Sequence, residues 1–422
     1  MRAFALLALL AAHACSTPPR SPTVEPATWE LAGTITWEGH FRRPHETRTI
    51  PATVRVQRGM ARLRIDLAET WASTRPASTT TFVASEREPG CRVRPPGAAA
   101  FTCERAGEAG DRLVALLRAS DDPAQPAMVR RWQHPRLGDI ADRAQWATTA
   151  AGPELHVVWH RDHDRAELRL RPVGGPTTAS PPDDAFAVGE PTLRDRPPVP
   201  ARFSTLAPGV HALVLPDADT RSLVVEFADH VVLCETSTDN GAGERLLAAI
   251  ERHLPGKPVR HVLCGHYHPH YTGGLRPVLA RGATFVAPQG LAEFGREIAA
   301  RPFRDPPDAL AASGRTAAVE PFAGQWRHAD AANELLAVDI GADSEHTDEY
   351  VVFVLPRQRL LFQGDLGWFV RGDATQAGGD RARGLLRAID ARQLPIDTLV
   401  QGWPTVGRVT MPLQDLRALL AR

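Results

Sequence analysis

The chain predicts an α+β architecture in two unlike parts: an antiparallel β-rich N-terminal region, then strands that alternate with helices. Three observations predict it. Between residues 28 and 172 apolar residues recur at every second position, the period of a half-buried strand. After residue 201 short apolar runs are separated by stripes of helical period, so that helices cover sheet faces. Between the two, residues 174–200 are rich in Pro, Gly, Thr and Asp and read as a linker. With 422 residues, 43% of them hydrophobic, the chain is long enough to bury two cores.

At the start, Met1 and Arg2 precede an apolar run through Ala12 and then His13-Ala14-Cys15. A run of about ten apolar residues is too short to span a bilayer and suits the core of a secretory signal, so residues 1–15 are expected to direct export. Cys15 after Ala-His-Ala resembles a bacterial lipoprotein processing site, with ordinary cleavage after Ala-x-Ala as the alternative. Residues 16–27 are polar and proline-rich and read as a tether. The expected location is the cell envelope, as a periplasm-facing lipoprotein or, without the lipid, a soluble periplasmic or secreted protein.

In residues 28–173 the alternating sets are Val54 and Val56, Leu63, Ile65 and Leu67, Leu155, Val157 and Trp159, and Leu168 and Leu170. One or two helices are expected in this part, with Arg112 to Ala119 as the leading candidate. Together they predict an antiparallel sheet with one wet face, curved around a helix. His156, His160, Asp162, His163 and Asp164 alternate with the apolar set, so they are expected on the wet face and turn of a hairpin rather than as a metal cluster. Cys91 and Cys103 flank a Pro95-Pro96-Gly97 turn, and export favours a hairpin-closing disulfide between them.

In residues 201–422, Leu246, Leu247, Ile250 and Leu254 form one helical stripe and Leu385, Leu386 and Ile389 another. Val351 to Leu355 and Leu360 to Phe362 form a hairpin that delivers Asp365 to a strand end. Lys+Arg and Asp+Glu are equal at 49 each, and no basic stripe argues for a nucleic-acid partner. No internal repeat, P-loop, dinucleotide fingerprint or Gly-x-Ser-x-Gly elbow occurs.

The chemistry concentrates in residues 266–274, His-Tyr-His-Pro-His-Tyr-Thr-Gly-Gly, after the apolar Val262 and Leu263. Imidazole is the usual nitrogen ligand of zinc and iron, and an i, i+2 spacing lets two rings converge on one ion from an irregular loop. A solvated polar loop is the bland alternative.

This segment resembles the metallo-β-lactamase-fold hydrolases, whose signature is His-x-His-x-Asp-His followed by a glycine pair. His266, His268 and Gly273-Gly274 match it, whereas His270 stands in place of the Asp and Tyr271 in place of the third His. Ser222 to Glu226 and Val231 to Cys234 look like the family's opening hairpin, His346 like its downstream histidine and Asp365 like its bridging aspartate. The family's last histidine is replaced by Trp403 within Gly-Trp-Pro. The resemblance implies an αββα sandwich with a metal at one rim. It also implies a first ligand set that is complete, His266, His268 and His346 with Asp365 beside it, and a second that is degraded to His270, Tyr271 and Trp403. Indole cannot ligate through its delocalised lone pair, and a phenol with a pKa of about 10 is a poor ligand at neutral pH. One ion is therefore expected, zinc first and iron as the alternative.

The function implied is a metal-dependent hydrolase of a small ester, thioester or lactone-type substrate, with Asp365 or His270 as candidate base. Two other readings stay open, a binding protein on the same fold and an iron oxygenase that uses His266, His346 and Asp365. Cys234 and Cys264 end strands that lie side by side in the resembled fold and are either bridged or paired as buried thiols. Arg301 to His328 would form a loop over the site, with Phe303, Phe322 and Trp326 offering apolar contacts and Arg304, Arg315 and Arg327 charge.

Overall fold

The structure is a computed structural model that describes residues 27–39, 41–59, 62–71, 77–85, 91–94, 96–98, 102–104, 109–119, 127–161, 164–175, 181, 192–193, 198–367, 379–405 and 409–421. The expected signal, Cys15 and the tether up to residue 26 lie outside them, as do Asp162 and His163.

The N-terminal strands are β1 (Ala27–Glu38), β2 (Thr47–Arg58), β3 (Arg62–Glu69), β4 (Ser78–Ser85), β5 (Cys91–Arg94), β6 (Thr102–Glu104), β7 (Met128–His134), β8 (Gly138–Thr149), β9 (Gly152–Arg161), β10 (Asp164–Pro172) and β11 (Thr192–Leu193). They form one sheet in the order β11-β6-β5-β4-β3-β2-β1-β10-β9-β8-β7. All its pairings are antiparallel except β11 on β6, so two residues of the expected linker extend the sheet. The alternation read from the sequence is the physical one: Leu63, Ile65 and Leu67 face inward while Arg62 is exposed. Helix α1 (Ala109–Ala119) places Leu113, Val114, Leu116 and Leu117 in the same core as Ile35, Val54, Ile65 and Trp159.

His160 departs from the expected wet face. It is 9% exposed, and its Nδ1 lies 2.8 Å from the Asp142 carboxylate, which the Arg112 guanidinium of α1 also binds at 2.7 Å. The helix brings a charge to this edge of the sheet, and a buried charge has to be paired, so polar side chains are drawn inward there. The expected Cys91–Cys103 link falls on Cys103, whose side chain lies outside the described residues.

The C-terminal strands form two further sheets. One runs β12 (Arg202–Ala207), β13 (Val210–Leu215), β14 (Thr220–Glu226), β15 (Val231–Cys234), β16 (Val259–Leu263), β17 (Thr284–Pro288), β18 (Ala318–Phe322). Its pairing is antiparallel as far as β15 and parallel beyond it. The other runs β19 (Gln325–Ala329), β20 (Glu334–Asp339), β21 (Val351–Leu355), β22 (Leu360–Gln363), β23 (Thr398–Gln401), β24 (Thr410–Pro412). The two sheets share an apolar layer that includes Leu223, Val225 and Leu263 on one side and Phe353, Phe362 and Val400 on the other. Outside the first sheet lie α2 (Asn240–His253), α3 (Pro269–Thr272), α4 (Leu275–Ala280), α5 (Gln289–Ala300) and α6 (Ala309–Ser313); outside the second lie α7 (Gly379–Ala391) and α8 (Leu413–Leu420). The two predicted helical stripes are α2 and α7, and the layering is the αββα sandwich.

Residues 301–328 do not form a loop over the rim. They fold into α6, β18 and β19, where Phe303 packs under the Arg276 guanidinium at 4.4 Å and Phe322 and Trp326 lean on the inter-sheet core. Cys234 and Cys264 are buried free thiols rather than a bridge, and the Cys264 Sγ lies 3.1 Å from Tyr271 O.

Removing the Asp142 carboxylate would leave Arg112, only 3% exposed, as an uncompensated buried cation. Asp142→Ala is expected to destabilise the sheet by about 3–5 kcal/mol. Urea unfolding of the variant checks this, and a loss below about 1 kcal/mol would show that the pair contributes no more than a surface one.

Candidate metal centre

Three strand ends and one inter-strand loop deliver the site to a single rim. β15 leads to Glu235, β16 leads to His266, the loop between β20 and β21 carries His346, and β22 leads to Asp365. Such a rim, beyond the carboxyl ends of parallel strands, is where open α/β sheets leave backbone and side chains free to converge.

The local sequence explains the loop. Pro269 fixes the first turn of α3, and His268 before it is held extended at φ −62° and ψ 148°, so that its ring shares one space with that of His266, which lies in the bend before it. The glycine pair is required by close approach. A Cβ at Gly273 would stand 2.0 Å from Thr238 O, and one at Gly274 2.1 Å from Thr236 O. Tyr271 O holds the same neighbouring loop by accepting from Thr236 N at 2.8 Å and Thr236 Oγ1 at 2.7 Å. On the other side the Ser344 hydroxyl accepts from the N–H groups of His346 and Thr347 at 3.1 and 3.2 Å and sets the turn that presents His346.

One ligating atom from each of His266, His268, His346 and Asp365 lies within 4.8 Å of the others. The ring centroids of His266 and His268 are 4.5 Å apart, of His266 and His346 4.8 Å, and of His268 and His346 4.7 Å. Asp365 Oδ2 lies 3.1 Å from His346 Nε2, and Oδ1 lies 3.9 Å from His266 Nε2. His266 is fully buried, and neither ring nitrogen has a hydrogen-bond partner among the described residues. An imidazole left in that state is costly, and a cation accepting its lone pair relieves the cost. Burial lowers the His266 pKa well below the ordinary histidine value, which keeps that lone pair available. The donor set, three imidazoles and a carboxylate, suits zinc or another first-row metal.

The carboxylate is held from behind. Tyr350 donates its hydroxyl to Asp365 Oδ1 at 3.0 Å and accepts from Asp365 N at 2.9 Å, and Arg381 Nη1 lies 3.3 Å from Oδ2. Burial by itself would raise the Asp365 pKa, but the surrounding His266, His346 and His268 rings outweigh it and hold the carboxyl well below its usual range. The Tyr350 ring stacks on His266 at 4.7 Å and 21°.

His270 does not join the group of four. Its ring faces Trp403 at 5.5 Å and Tyr271 at 6.3 Å. Tyr271 is 3% exposed and packs on His266 at 4.4 Å, and burial pushes its phenol well above the ordinary tyrosine value. Trp403 is pinned by its N–H to Gly364 O at 2.9 Å.

The N-terminal sheet borders this rim. Tyr267, between the two histidines, shares its hydroxyl hydrogen between Gly39 O at 2.9 Å and Phe41 O at 2.5 Å. Arg42 Nε meets Asp348, two residues after His346, at 2.8 Å, and Arg43 binds the other oxygen. Beside Tyr267 and Pro269 a cleft of about 250 Å³ opens between the halves, lined also by His160, Arg165 and Phe294.

Sequence reasoning missed Glu235, Tyr350 and Arg381. Glu235 is 1% exposed, takes one N–H from Gly265 at 3.0 Å, and burial raises its carboxyl to about 8. The folded state thus binds this proton more tightly than the unfolded chain, so stability falls as pH rises from 4.5, the unperturbed value, towards about 8. Glu235→Gln is expected to flatten that slope in urea unfolding across the same range; an unchanged slope would assign it to another group.

Residues 216–403 match the family described as the metallo-beta-lactamase superfamily. No match is found among curated proteins. Among solved structures the chain is similar to a metallo-beta-lactamase from Pontibacter korlensis, at 20% identity over 52% of this chain and 97% of that one, with a TM-score of 0.38. It is similar to the metallo-beta-lactamase FIM-1 from Pseudomonas aeruginosa in the mono-zinc form, at 17% identity over 53% of this chain and 95% of that one, with a TM-score of 0.39. It is also similar to the inverting sec-alkylsulfatase Pisa1 from Pseudomonas sp., at 16% identity over 52% of this chain but 40% of that one, with a TM-score of 0.38.

Proposed function

We propose that this chain, whose residues 216–403 match the metallo-beta-lactamase superfamily, is an exported metal-dependent hydrolase working with a single rim ion on a small ester, thioester or lactone. The observation that carries the reading is the buried convergence of His266, His268, His346 and Asp365, with both nitrogens of His266 lacking a partner among the described residues.

His266, His268 and His346 would hold zinc, with Asp365 as the neighbouring anionic ligand. Bound there, zinc would polarise a carbonyl and lower the pKa of water towards 7. The chain's own residues do the rest. Tyr350 and Arg381 fix the Asp365 carboxylate, so that it meets the reacting group without first reorganising. His270 stands at the margin beside Trp403, outside the ligand group, where its imidazole can accept a proton from water or return one to a leaving group. Tyr271, neutral and buried, and Trp403 stand where the resembled family places ligands of a second ion, and neither supplies a lone pair suited to one. This supports a mononuclear site.

Metal analysis of protein purified without added metal, alongside chromogenic ester, thioester and lactone substrates, tests the reading. His346→Ala is expected to carry one zinc fewer than the parent and to lose hydrolysis. His270→Ala is expected to keep the parent's metal content while its rate falls by about 10²–10⁴-fold, the usual worth of a proton-transfer group. Iron with oxygen uptake would replace the hydrolase by an oxygenase, and a metal-free rim that binds without turnover would replace it by a binding module.

Export and lipid anchoring rest on the sequence of residues 1–27. Cys15→Ser is expected to move the protein from the membrane to the soluble periplasmic fraction; unchanged fractionation would favour simple secretion.

A further inference from the structure

The opposite ends of the same strands carry a second group of histidines that the proposed hydrolysis does not use. His230 immediately precedes β15, His261 lies within β16, and His328 lies on β19, the edge strand of the other sheet. One nitrogen from each lies within 4.8 Å of the other two, and His230 Nε2 is 2.9 Å from His328 Nε2. His261 is five residues before His266, so along an extended chain the two groups stand roughly 15 Å apart.

We propose that His230, His261 and His328 form a second metal site, a three-histidine position for a divalent transition ion such as Zn²⁺, which ties the two sheets of the sandwich together at the rim away from the hydrolytic centre.

Each ring is prepared for this. Asp229 Oδ1 lies 2.6 Å from His230 Nδ1, and Arg260 holds the same carboxylate at 2.7 Å. A carboxylate at Nδ1 accepts a hydrogen bond from the N–H there and so leaves Nε2 as a lone pair aimed into the cluster, the outer-shell arrangement that orients metal-binding imidazoles. The Arg260 charge is answered by Asp229. Ring planes are fixed by stacking: Phe227 lies on His230 at 5.1 Å and 8°, and Trp326 on His328 at 5.4 Å and 4°. His261 Nδ1 is buried with no hydrogen-bond partner among the described residues.

The spacing also fits. With Zn–N bonds of about 2.0–2.1 Å, tetrahedral ligand nitrogens stand roughly 3.3 Å apart, so the 2.9 Å pair needs only a small opening. His230 is buried whereas His261 and His328 are half-buried, which leaves a path for the ion and room for water in the fourth position.

Full-length protein stripped with a chelator and dialysed against Zn²⁺ tests the site. Two equivalents are expected, falling to one in His346→Ala, to one in His328→Ala and to none in the double variant. Ni²⁺ is expected to quench the Trp326 fluorescence, read as the difference from Trp326→Phe, in the parent and in His346→Ala but not in His328→Ala. If His328→Ala misfolds, His261→Gln serves the same comparison. One equivalent that is lost in His328→Ala and kept in His346→Ala would sustain this site while removing the proposed rim ion. A zinc count and a quench unchanged by His328→Ala or His261→Gln would overturn it, leaving a cluster of imidazoles that holds no ion.

Discussion

Val351 N donates to Gly265 O at 2.6 Å, and this one backbone bond fixes the distance between the two sheets where both ligand loops begin. Gly265 directly precedes His266, and Val351 directly follows Tyr350, the residue that grips Asp365. Arg221 N likewise donates to Gly402 O at 2.8 Å across the sheets, whereas the apolar side chains between them resist separation but supply little direction. A hydrogen bond is directional, so the bond sets how far the imidazoles of one sheet stand from the carboxylate of the other. The glycine pair, the Ser344 turn and the Tyr271 carbonyl then adjust each loop within that frame.

Burial gives the frame its chemistry. A carboxylate and three imidazoles taken from water are held at a cost that hydrogen bonds from Tyr350 and the apposed rings offset only in part. The same desolvation that lowers His266 and raises Glu235 keeps one group ready to donate a lone pair and the other protonated, with Asp365 ionised between them. Groups whose environments drive their protonation apart are what acid–base chemistry at neutral pH requires.

The four members of the rim group were legible because their chemistry is written in residue type and spacing: His266 and His268 flank one residue, and Asp365 ends an apolar strand. Their supports were not. Tyr350 opens an apolar strand and reads as one more core aromatic, Glu235 reads as an ordinary charged strand end, and Arg381 lies in Asp-Arg-Ala-Arg, which reads as a solvated helix face. Strand periodicity found β3, β9 and β10 and the helical stripes found α2 and α7, since each obeys a single period. His160 escaped because alternation records which face a residue takes, not what covers that face. Phe303, Phe322 and Trp326 were misjudged for a related reason: aromatic residues in a stretch without clear period were assigned to a loop, whereas Phe303 packs under Arg276 and the other two, on short strands, lean on the inter-sheet core. His230, His261 and His328 are separated by 31 and 67 positions and only folding brings them together.

Tyr267 stands between His266 and His268, yet its hydroxyl is satisfied by two main-chain carbonyls of the other half of the protein. The halves are therefore not interchangeable modules. Exchange of the N-terminal sheet for an unrelated one, by recombination or by design, would have to present carbonyl oxygens at that same point. Otherwise the loop bearing the imidazoles inherits a phenol with nowhere to donate. Because main-chain carbonyls do not depend on side-chain identity, the sheet is free to diverge in sequence while its path near Gly39 and Phe41 is not.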